Sequence, residues 1–163
     1  MRESPFSATG GWRSAKRIFS ADASWRNRRR WLRGGVRRYG DTGFIHGGYK
    51  TILKTSDGGN TWVVTYDGGA YYYHQCINDI AFINDSTGFA TGYGGLLLKT
   101  TDTGDNWAPL ETGVNAPFGK IVFFNQENGF ILCGGTLVLR TGDGGTTWTP
   151  DDLSPSVPGV YIY

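Results

Sequence analysis

The sequence has little of what membrane-spanning, disulfide-bonded or helical proteins need. No apolar run approaches the roughly 18 residues of a membrane span, and the N-terminus lacks the apolar segment of a signal peptide. Cys76 and Cys133 are too few for a disulfide framework and lack the CxxC spacing of zinc sites, so we expect buried free thiols. One Met beside 26 glycines and 15% aromatics argues against a helical bundle. Strands and turns must therefore dominate a single domain.

Acidic residues are scarce in the first part of the chain. Residues 1–40 hold 11 of the 16 lysines and arginines with only two acids, whereas residues 41–163 carry a net charge of −7. We predict a basic, irregular arm over residues 1–40, either a solvated tail or a site for phosphate, carboxylate or single-stranded nucleic acid. Nucleic-acid binding has no other support in the sequence. The candidate anion-binding residues are Arg26, Arg28, Arg29, Arg30, Arg33, Arg37 and Arg38.

What the sequence does contain is a threefold repeat. Residues 43–62, 88–107 and 129–148 align without a gap as GFIHGGYKTILKTSDGGNTW, GFATGYGGLLLKTTDTGDNW and GFILCGGTLVLRTGDGGTTW. Their terminal tryptophans are 45 and 41 residues apart, and the difference lies in the connectors. A period of this length without a helical pattern predicts one small antiparallel sheet per repeat.

Apolar runs and glycine-rich turns divide each repeat into four short strands. We therefore predict an all-β fold of propeller-type blades, each a four-stranded antiparallel meander, over residues 41–163. The length allows three to four blades, which predicts a partial propeller, and residues 159–163 resemble the first strand of another blade. Such a chain forms an open arc, a ring completed by its N-terminal segment, or a homo-oligomer joined through open blade edges.

The turn between the third and fourth strands holds the most specific motif. It resembles the Asp-box, S/T-x-D-x-G-x-T-W, of BNR-repeat β-propellers, and departs from it only at Asn106. The carboxylate and hydroxyl suit hydrogen bonds to the turn, the glycine suits a positive φ, and the tryptophan suits burial between sheets. We predict a structural role for these residues, which are Thr55, Asp57, Gly59, Thr61, Trp62, Thr100, Asp102, Gly104, Trp107, Thr141, Asp143, Gly145, Thr147 and Trp148.

The longer sequence pattern of the repeats, G-F followed by I/L-L-K-T-T-D-x-G-x-x-W, resembles that of photosystem II stability/assembly factor-like proteins over residues 41–163. That resemblance implies a propeller with repeat architecture like that of WD40 and YVTN proteins. It also implies a non-enzymatic binding or assembly module that holds a protein partner, in an exported, periplasmic, lumenal or cell-surface setting. Asp-boxes also occur in sialidases and xyloglucan-degrading enzymes, so the alternative is a fragment of a glycoside hydrolase.

Loops opposite the Asp-boxes hold a cluster of tyrosines that suits a peptide or a glycan, because tyrosine offers apolar area and a hydroxyl at low entropy cost. The alternative is that these rings only pack a connector onto its own blade. The candidate binding surface is Tyr49, Lys50, Tyr71, Tyr72, Tyr73, His74 and Tyr93.

Catalytic and metal-binding patterns are weak. Arg140 is the only arginine in residues 41–163, too few for the arginine triad of a sialidase, and Glu111 and Glu127 are the only glutamates there. Paired-carboxylate hydrolysis needs two acids that converge on one bond. We therefore predict no catalytic residue, no metal site and no cofactor.

Overall fold

The computed structural model describes residues 37–69 and 75–154, which form three four-stranded antiparallel sheets with no helix in these ranges. Sheet 1 has the order β1-β2-β3-β4, sheet 2 has β5-β6-β7-β8 and sheet 3 has β9-β10-β11-β12. The predicted all-β fold of four-stranded meanders is confirmed. The strands are β1 Arg37–Tyr39, β2 Thr42–Gly47, β3 Thr51–Thr55, β4 Val63–Asp67, β5 Ile77–Phe82, β6 Gly88–Gly92, β7 Leu97–Thr100, β8 Ala108–Pro109, β9 Phe118–Phe123, β10 Gly129–Cys133, β11 Leu137–Thr141 and β12 Thr149–Asp152.

Sheet 1 begins before the position at which the sequence placed the repeat region. Strand β1 pairs with β2 from Arg37↔Phe44 to Tyr39↔Thr42, although residues 1–40 were predicted to be an irregular arm. Strand pairing depends on backbone hydrogen bonds and requires no apolar side chain. The Arg-Arg-Tyr sequence of β1 therefore lacks the apolar pattern by which strands are predicted. The arm residues 1–36 and the strand-like residues 159–163 lie outside the described residues.

The core lies between neighbouring sheets rather than within one of them. Strand β5 contacts β2, and β9 contacts both β5 and β6, so the first strands of sheets 2 and 3 lie against the preceding sheet. The second strand of sheets 1 and 2 is buried along nearly its whole length, because both of its faces are covered. One apolar cluster joins sheets 1 and 2 and another joins sheets 2 and 3.

One contact recurs where consecutive sheets meet, and we call it the Phe–box joint. Phe44 of sheet 1 stacks on Phe82, with ring centroids 5.0 Å apart, and meets the Trp107 ring edge-on at 6.3 Å. A Cβ atom on the box glycine Gly104 would lie 2.5 Å from the Phe44 ring, so only glycine leaves room for this ring. The Gly-Phe opening of one repeat is therefore completed by the Asp-box of the next.

The second joint repeats this geometry between sheets 2 and 3. Phe89 stacks on Phe123 at 5.4 Å and meets Trp148 edge-on at 6.1 Å. The box glycine Gly145, with φ of +76°, again lies beneath the ring, because a Cβ atom added there would overlap Phe89. Phe44 and Phe89 are consequently buried almost completely.

Polar contacts tie the same sheets together. The Lys54 ammonium donates to Asp105 Oδ1 at 2.7 Å and to Thr103 Oγ1 at 3.0 Å, which joins β3 to the Asp-box turn of sheet 2. His46 Nδ1 donates to the Ile77 carbonyl at 3.0 Å. This last bond fixes a proton on Nδ1, because a carbonyl oxygen can only accept.

Two further observations concern helices and cysteines. No helix in the described ranges is long and apolar enough to cross a membrane. Cys133 is buried and Cys76 is half-buried, and both are free thiols. The expectation of burial is therefore wrong in degree for Cys76, because that residue lies in the short segment that leads into β5 rather than in a core strand.

Candidate functional site

The turns of the sheets form two opposite surfaces. On the first, which we call the box face, the turn between the first and second strands bonds to the Asp-box turn of the same sheet. The Gly58 amide donates to the Asp41 carbonyl, the Thr103 amide to Ser86 and the Gly144 amide to Glu127. On the second, the connector face, the turns between second and third strands meet the connectors that link consecutive sheets.

The Asp-box of sheet 1 is closed by its own side chains. Thr55 Oγ1 donates to Asp57 Oδ1 at 2.8 Å and accepts from the Gly59 amide at 2.9 Å. Asp57 in turn accepts from the Thr61 amide at 2.9 Å and from the Thr61 hydroxyl at 2.6 Å. These hydrogen bonds, those from Thr61 first, lower the pKa of Asp57 from 3.8 to about 2, because they favour the ionised form.

The other two boxes share this network. In sheet 2, Asn106 takes the threonine position and donates its amide and side-chain Nδ2 to Asp102 at 3.0 and 2.8 Å, so the departure from the motif keeps both bonds. In sheet 3 the Thr147 hydroxyl donates to Asp143 Oδ2 at 2.6 Å. The pKa values of Asp102 and Asp143 are likewise lowered to about 2. The box carboxylates are thus engaged within their turns, an arrangement that favours a structural role.

The connector face places part of the predicted tyrosine surface together. The Lys50 amide donates to the Gln75 carbonyl, Gly48 forms an isolated β-bridge with Cys76, and the Tyr93 amide donates to the Cys76 carbonyl. Turns from sheets 1 and 2 therefore flank the segment Gln75–Cys76. Tyr71, Tyr72, Tyr73 and His74 directly precede this segment and lie outside the described residues.

The turn that carries Tyr49 and Lys50 is strained. Their φ angles are +60° and +51°, a region that costs a non-glycine residue roughly 1–2 kcal/mol. The aligned positions of sheet 2 are Gly94 and Gly95, with φ of +72° and +76°. Sheet 1 therefore keeps two large side chains where the backbone favours glycine, and this pattern is typical of functional sites.

Exposure differs across this surface. The Tyr93 side chain is 46% exposed, whereas Tyr49 and Lys50 are half-buried. Lys50 packs its aliphatic stem over Gly68, where a Cβ atom would lie 2.5 Å from Lys50 Cβ. The adjacent thiol of Cys76 donates to Asn78 Oδ1 at 3.0 Å, and its partial burial raises its pKa, which disfavours the thiolate form.

The residues weighed for hydrolysis do not converge. Glu127 lies in the turn that bonds to the sheet 3 Asp-box, on the box face. Glu111 follows β8 at the opposite end of sheet 2, where the Leu110 amide still donates to Leu97. Arg140 is engaged by Asp151, with Nε 2.7 Å from Oδ2. Within the described ranges, no three His, Cys, Asp or Glu side chains cluster as metal ligands would.

The predicted anion-binding arm lies almost wholly beyond the described part of the chain. Arg26, Arg28, Arg29, Arg30 and Arg33 fall outside it, and Arg37 and Arg38 form two of the three residues of β1. Anion binding by this arm stays a prediction. Sequence reasoning missed the Lys54–Asp105 ion pair, although the basic residue that ends each apolar third strand was a signal of a partner nearby.

The chain resembles known proteins in sequence. Residues 70–162 match the family described as photosynthesis system II assembly factor YCF48. No curated protein sequence matches the chain.

Solved structures share the fold. YCF48 bound to D1 peptide has a TM-score of 0.54 at 23% identity and covers 67% of this chain and 35% of that chain. YCF48 from Cyanidioschyzon merolae has a TM-score of 0.52 at 20% identity, over 68% of this chain and 33% of that one. The GH74 enzyme of Niastella koreensis has a TM-score of 0.52 at 22% identity, over 70% and 21%. The chain therefore spans about a third of these YCF48 chains and has the fold of a partial β-propeller.

Proposed function

Because the chain belongs to the photosynthesis system II assembly factor YCF48 family, we propose that it is a non-enzymatic propeller module that binds a protein partner through its connector face. The observation that carries this proposal is the strained turn at Tyr49 and Lys50, which lies with Tyr93 on either side of Gln75–Cys76. Tyrosine and lysine at positions where the backbone favours glycine reduce the folding free energy, and a binding role accounts for their presence there.

The chemistry of this surface fits a peptide. Tyrosine supplies apolar contact area together with a hydroxyl that donates and accepts hydrogen bonds. Lys50, which follows Tyr49 in the same turn, adds an ammonium group, and this group suits a carboxylate or a backbone carbonyl. A YCF48 relative has been solved bound to D1 peptide, and that complex supports a peptide segment as the class of partner.

Titration of a fluorescently labelled D1 peptide with the full chain tests this proposal. We expect saturable binding that weakens about ten-fold or more when Tyr93→Ala removes the more exposed of the two described rings of the surface. The control is Val63→Ser, which changes a side chain that is 65% exposed and directly follows the sheet 1 Asp-box on the opposite face. Binding that is lost equally in both variants, or unchanged in both, would contradict the proposed surface.

Enzyme assays test the alternative of a glycoside hydrolase. The GH74 structure shares the fold at 22% identity and supports no catalytic assignment. We expect no hydrolysis of fluorogenic sialosides or glucans by the purified chain, because Glu111 and Glu127 lie at opposite ends of their sheets. Turnover that depends on either glutamate would replace the binding proposal with an enzymatic one.

A further inference from the structure

The fourth strand of each sheet pairs on one side only. Among the described residues, β4, β8 and β12 pair with the third strand of their own sheet and with no other strand. Along such an edge strand, alternate residues turn their N–H and C=O groups away from the sheet, where a further strand can pair with them. The three edges differ in whether they offer these groups.

Two of the three edges are closed by proline at the same register position. Pro109 of β8 and Pro150 of β12 each lie opposite the corresponding leucine of the third strand. The next amide of β8, that of Leu110, donates to the Leu97 carbonyl at 2.8 Å, so alternation along the strand turns the Pro109 nitrogen outward. Proline has no N–H, so neither edge offers a backbone donor at this position.

Sheet 1 holds Val64 at this register position instead of proline. Val64 lies opposite Leu53, as Pro109 and Pro150 lie opposite their leucines, and its N–H and C=O therefore face outward. Its side chain packs inward on the cluster that contains Ile45. Strand β4 also has five residues, whereas β8 has two. Of the three described sheets, sheet 1 thus offers the edge that is best suited to accept another strand.

A bulge restricts which strand this edge can accept. Leu53 lies opposite Val64 and Ile52 lies opposite Tyr66, which leaves Thr65 as an extra residue of β4. A bulge bends its strand and increases the local twist, which discourages pairing with an arbitrary flat strand. The edge therefore favours a segment that is flexible enough to follow the bend, as a peptide is.

The edge leads directly to the strained turn of the connector face. The Gly68 amide, just after β4, donates to the Lys50 carbonyl at 3.2 Å, and the aliphatic stem of Lys50 packs over Gly68. A segment that follows β4 past its bulge therefore arrives at the turn of Tyr49 and Lys50. One extended segment can thus contact both the edge and this turn.

We infer that the protein partner binds sheet 1 as an added strand, with an extended segment that pairs with the outward N–H and C=O of Val64 and continues to the turn of Tyr49 and Lys50. The inference rests on the proposed function and specifies the conformation in which the partner binds. An extended segment is the occupant because its backbone groups have the spacing that those of an edge strand require. Because the main chain carries this pairing, replacement of the exposed Val63 side chain should leave it unchanged.

Titration of the labelled D1 peptide with Val64→Pro and Val64→Ala tests this pairing on the full chain. We expect the affinity to fall about ten-fold or more in Val64→Pro, which removes the outward N–H and places a ring on the edge. The affinity should stay close to that of the parent chain in Val64→Ala, the matched control, which shortens the side chain but keeps the amide. Urea unfolding of each variant checks folding, and the aligned prolines of sheets 2 and 3 indicate that the backbone accepts proline here.

Two further measurements read the backbone pairing itself. N-methylation of alternate residues of the D1 peptide should weaken binding for one set of residues and not for the other, because alternate residues of a strand face the edge. Amide hydrogen exchange followed by NMR should show that Val64 exchanges rapidly in the free chain and about ten-fold or more slowly in the complex. Neither measurement depends on a substitution in the protein.

The outcomes separate this inference from the proposed function. Loss of binding in Tyr93→Ala with unchanged binding in Val64→Pro would overturn the added strand and leave the proposed function standing, whereas absence of binding to the parent chain would overturn both. Equal effects of the two methylation patterns would show that the peptide does not pair as a strand. A Val64 amide that is already protected in the free chain would mean that another part of the chain occupies the edge, which would also overturn the inference.

Discussion

The Phe–box joint predicts very different stability losses for one substitution at equivalent repeat positions. Phe89→Ala removes a ring that is 0% exposed and that packs on both Phe123 and Trp148. Loss of a fully buried phenylalanine costs about 3–5 kcal/mol, which includes the cavity that remains. Phe130→Ala removes a half-buried ring with one ring neighbour among the described residues, Phe124, so we expect a loss of about 1 kcal/mol.

Urea unfolding followed by tryptophan fluorescence measures this difference. Both variants are compared at the same protein concentration, because any binding equilibrium would make the apparent stability depend on concentration. The denaturant slope must be unchanged for the free energies to be compared. The physical reason for the contrast is that Phe89 is buried completely under the next sheet, whereas Phe130 is half-buried beside the exposed ring of Phe124.

Two results would refute this reasoning. Equal losses at both positions would mean that the Phe130 ring is packed as tightly as the Phe89 ring. A loss of only about 1 kcal/mol at Phe89 would mean that the sheets contribute little to one another and that the joint is not a source of stability.

Three further predictions concern pH, charge and strain. The pKa of each Asp-box carboxylate is about 2 in the folded chain against an ordinary 3.8. The stabilising effect of the ionised carboxylate should therefore be complete above about pH 4 and lost as the pH falls toward 2. Unfolding free energies measured across this pH range should fall with pH in the parent chain and fall less in Asp→Asn box variants. Lys54→Met should cost about 1 kcal/mol through the lost ion pair with the mostly exposed Asp105, and chemical unfolding of this variant and Asp105→Asn would show losses of similar size if the pair is the cause. Tyr49→Asn combined with Lys50→Gly should relieve the strained turn and stabilise the chain by about 1–2 kcal/mol while weakening peptide binding, and a gain in both stability and affinity would argue against a role of this turn in binding.

The strand order of the fold could be predicted from the sequence, because each repeat contains short motifs that mark where its strands and turns lie. Gly-Phe marks the second strand and the Asp-box marks the turn before the fourth, and both markers lie within one repeat. Strand β1 could not be found in this way, since its Arg-rich sequence lacks the apolar pattern and its pairing depends on the backbone alone. The family resemblance was confirmed by residues 70–162.

The candidate site was harder to predict than the fold. Alignment of the repeats was enough to show that Tyr49 and Lys50 stand where sheet 2 has two glycines, so their positive φ angles had a signal in the sequence. The Lys54–Asp105 pair had no sequence signal as specific as this one, because its two residues are 51 positions apart and belong to different repeats. The same holds for the Phe–box joint, whose two halves lie in successive repeats.

That division of each joint between successive repeats has a consequence for how such a chain changes in length. Insertion or deletion of one whole period of 41–45 residues leaves every sheet with both halves of the Phe–box joint. These halves are the Gly-Phe phenylalanine on one face and the Asp-box glycine on the other. Every internal contact then finds its counterpart regardless of how many units precede it. Gene duplication can therefore lengthen or shorten the array in whole-sheet steps, whereas a change of a few residues within one of the aligned repeats, rather than in a connector, would disturb the contacts on both of its sides.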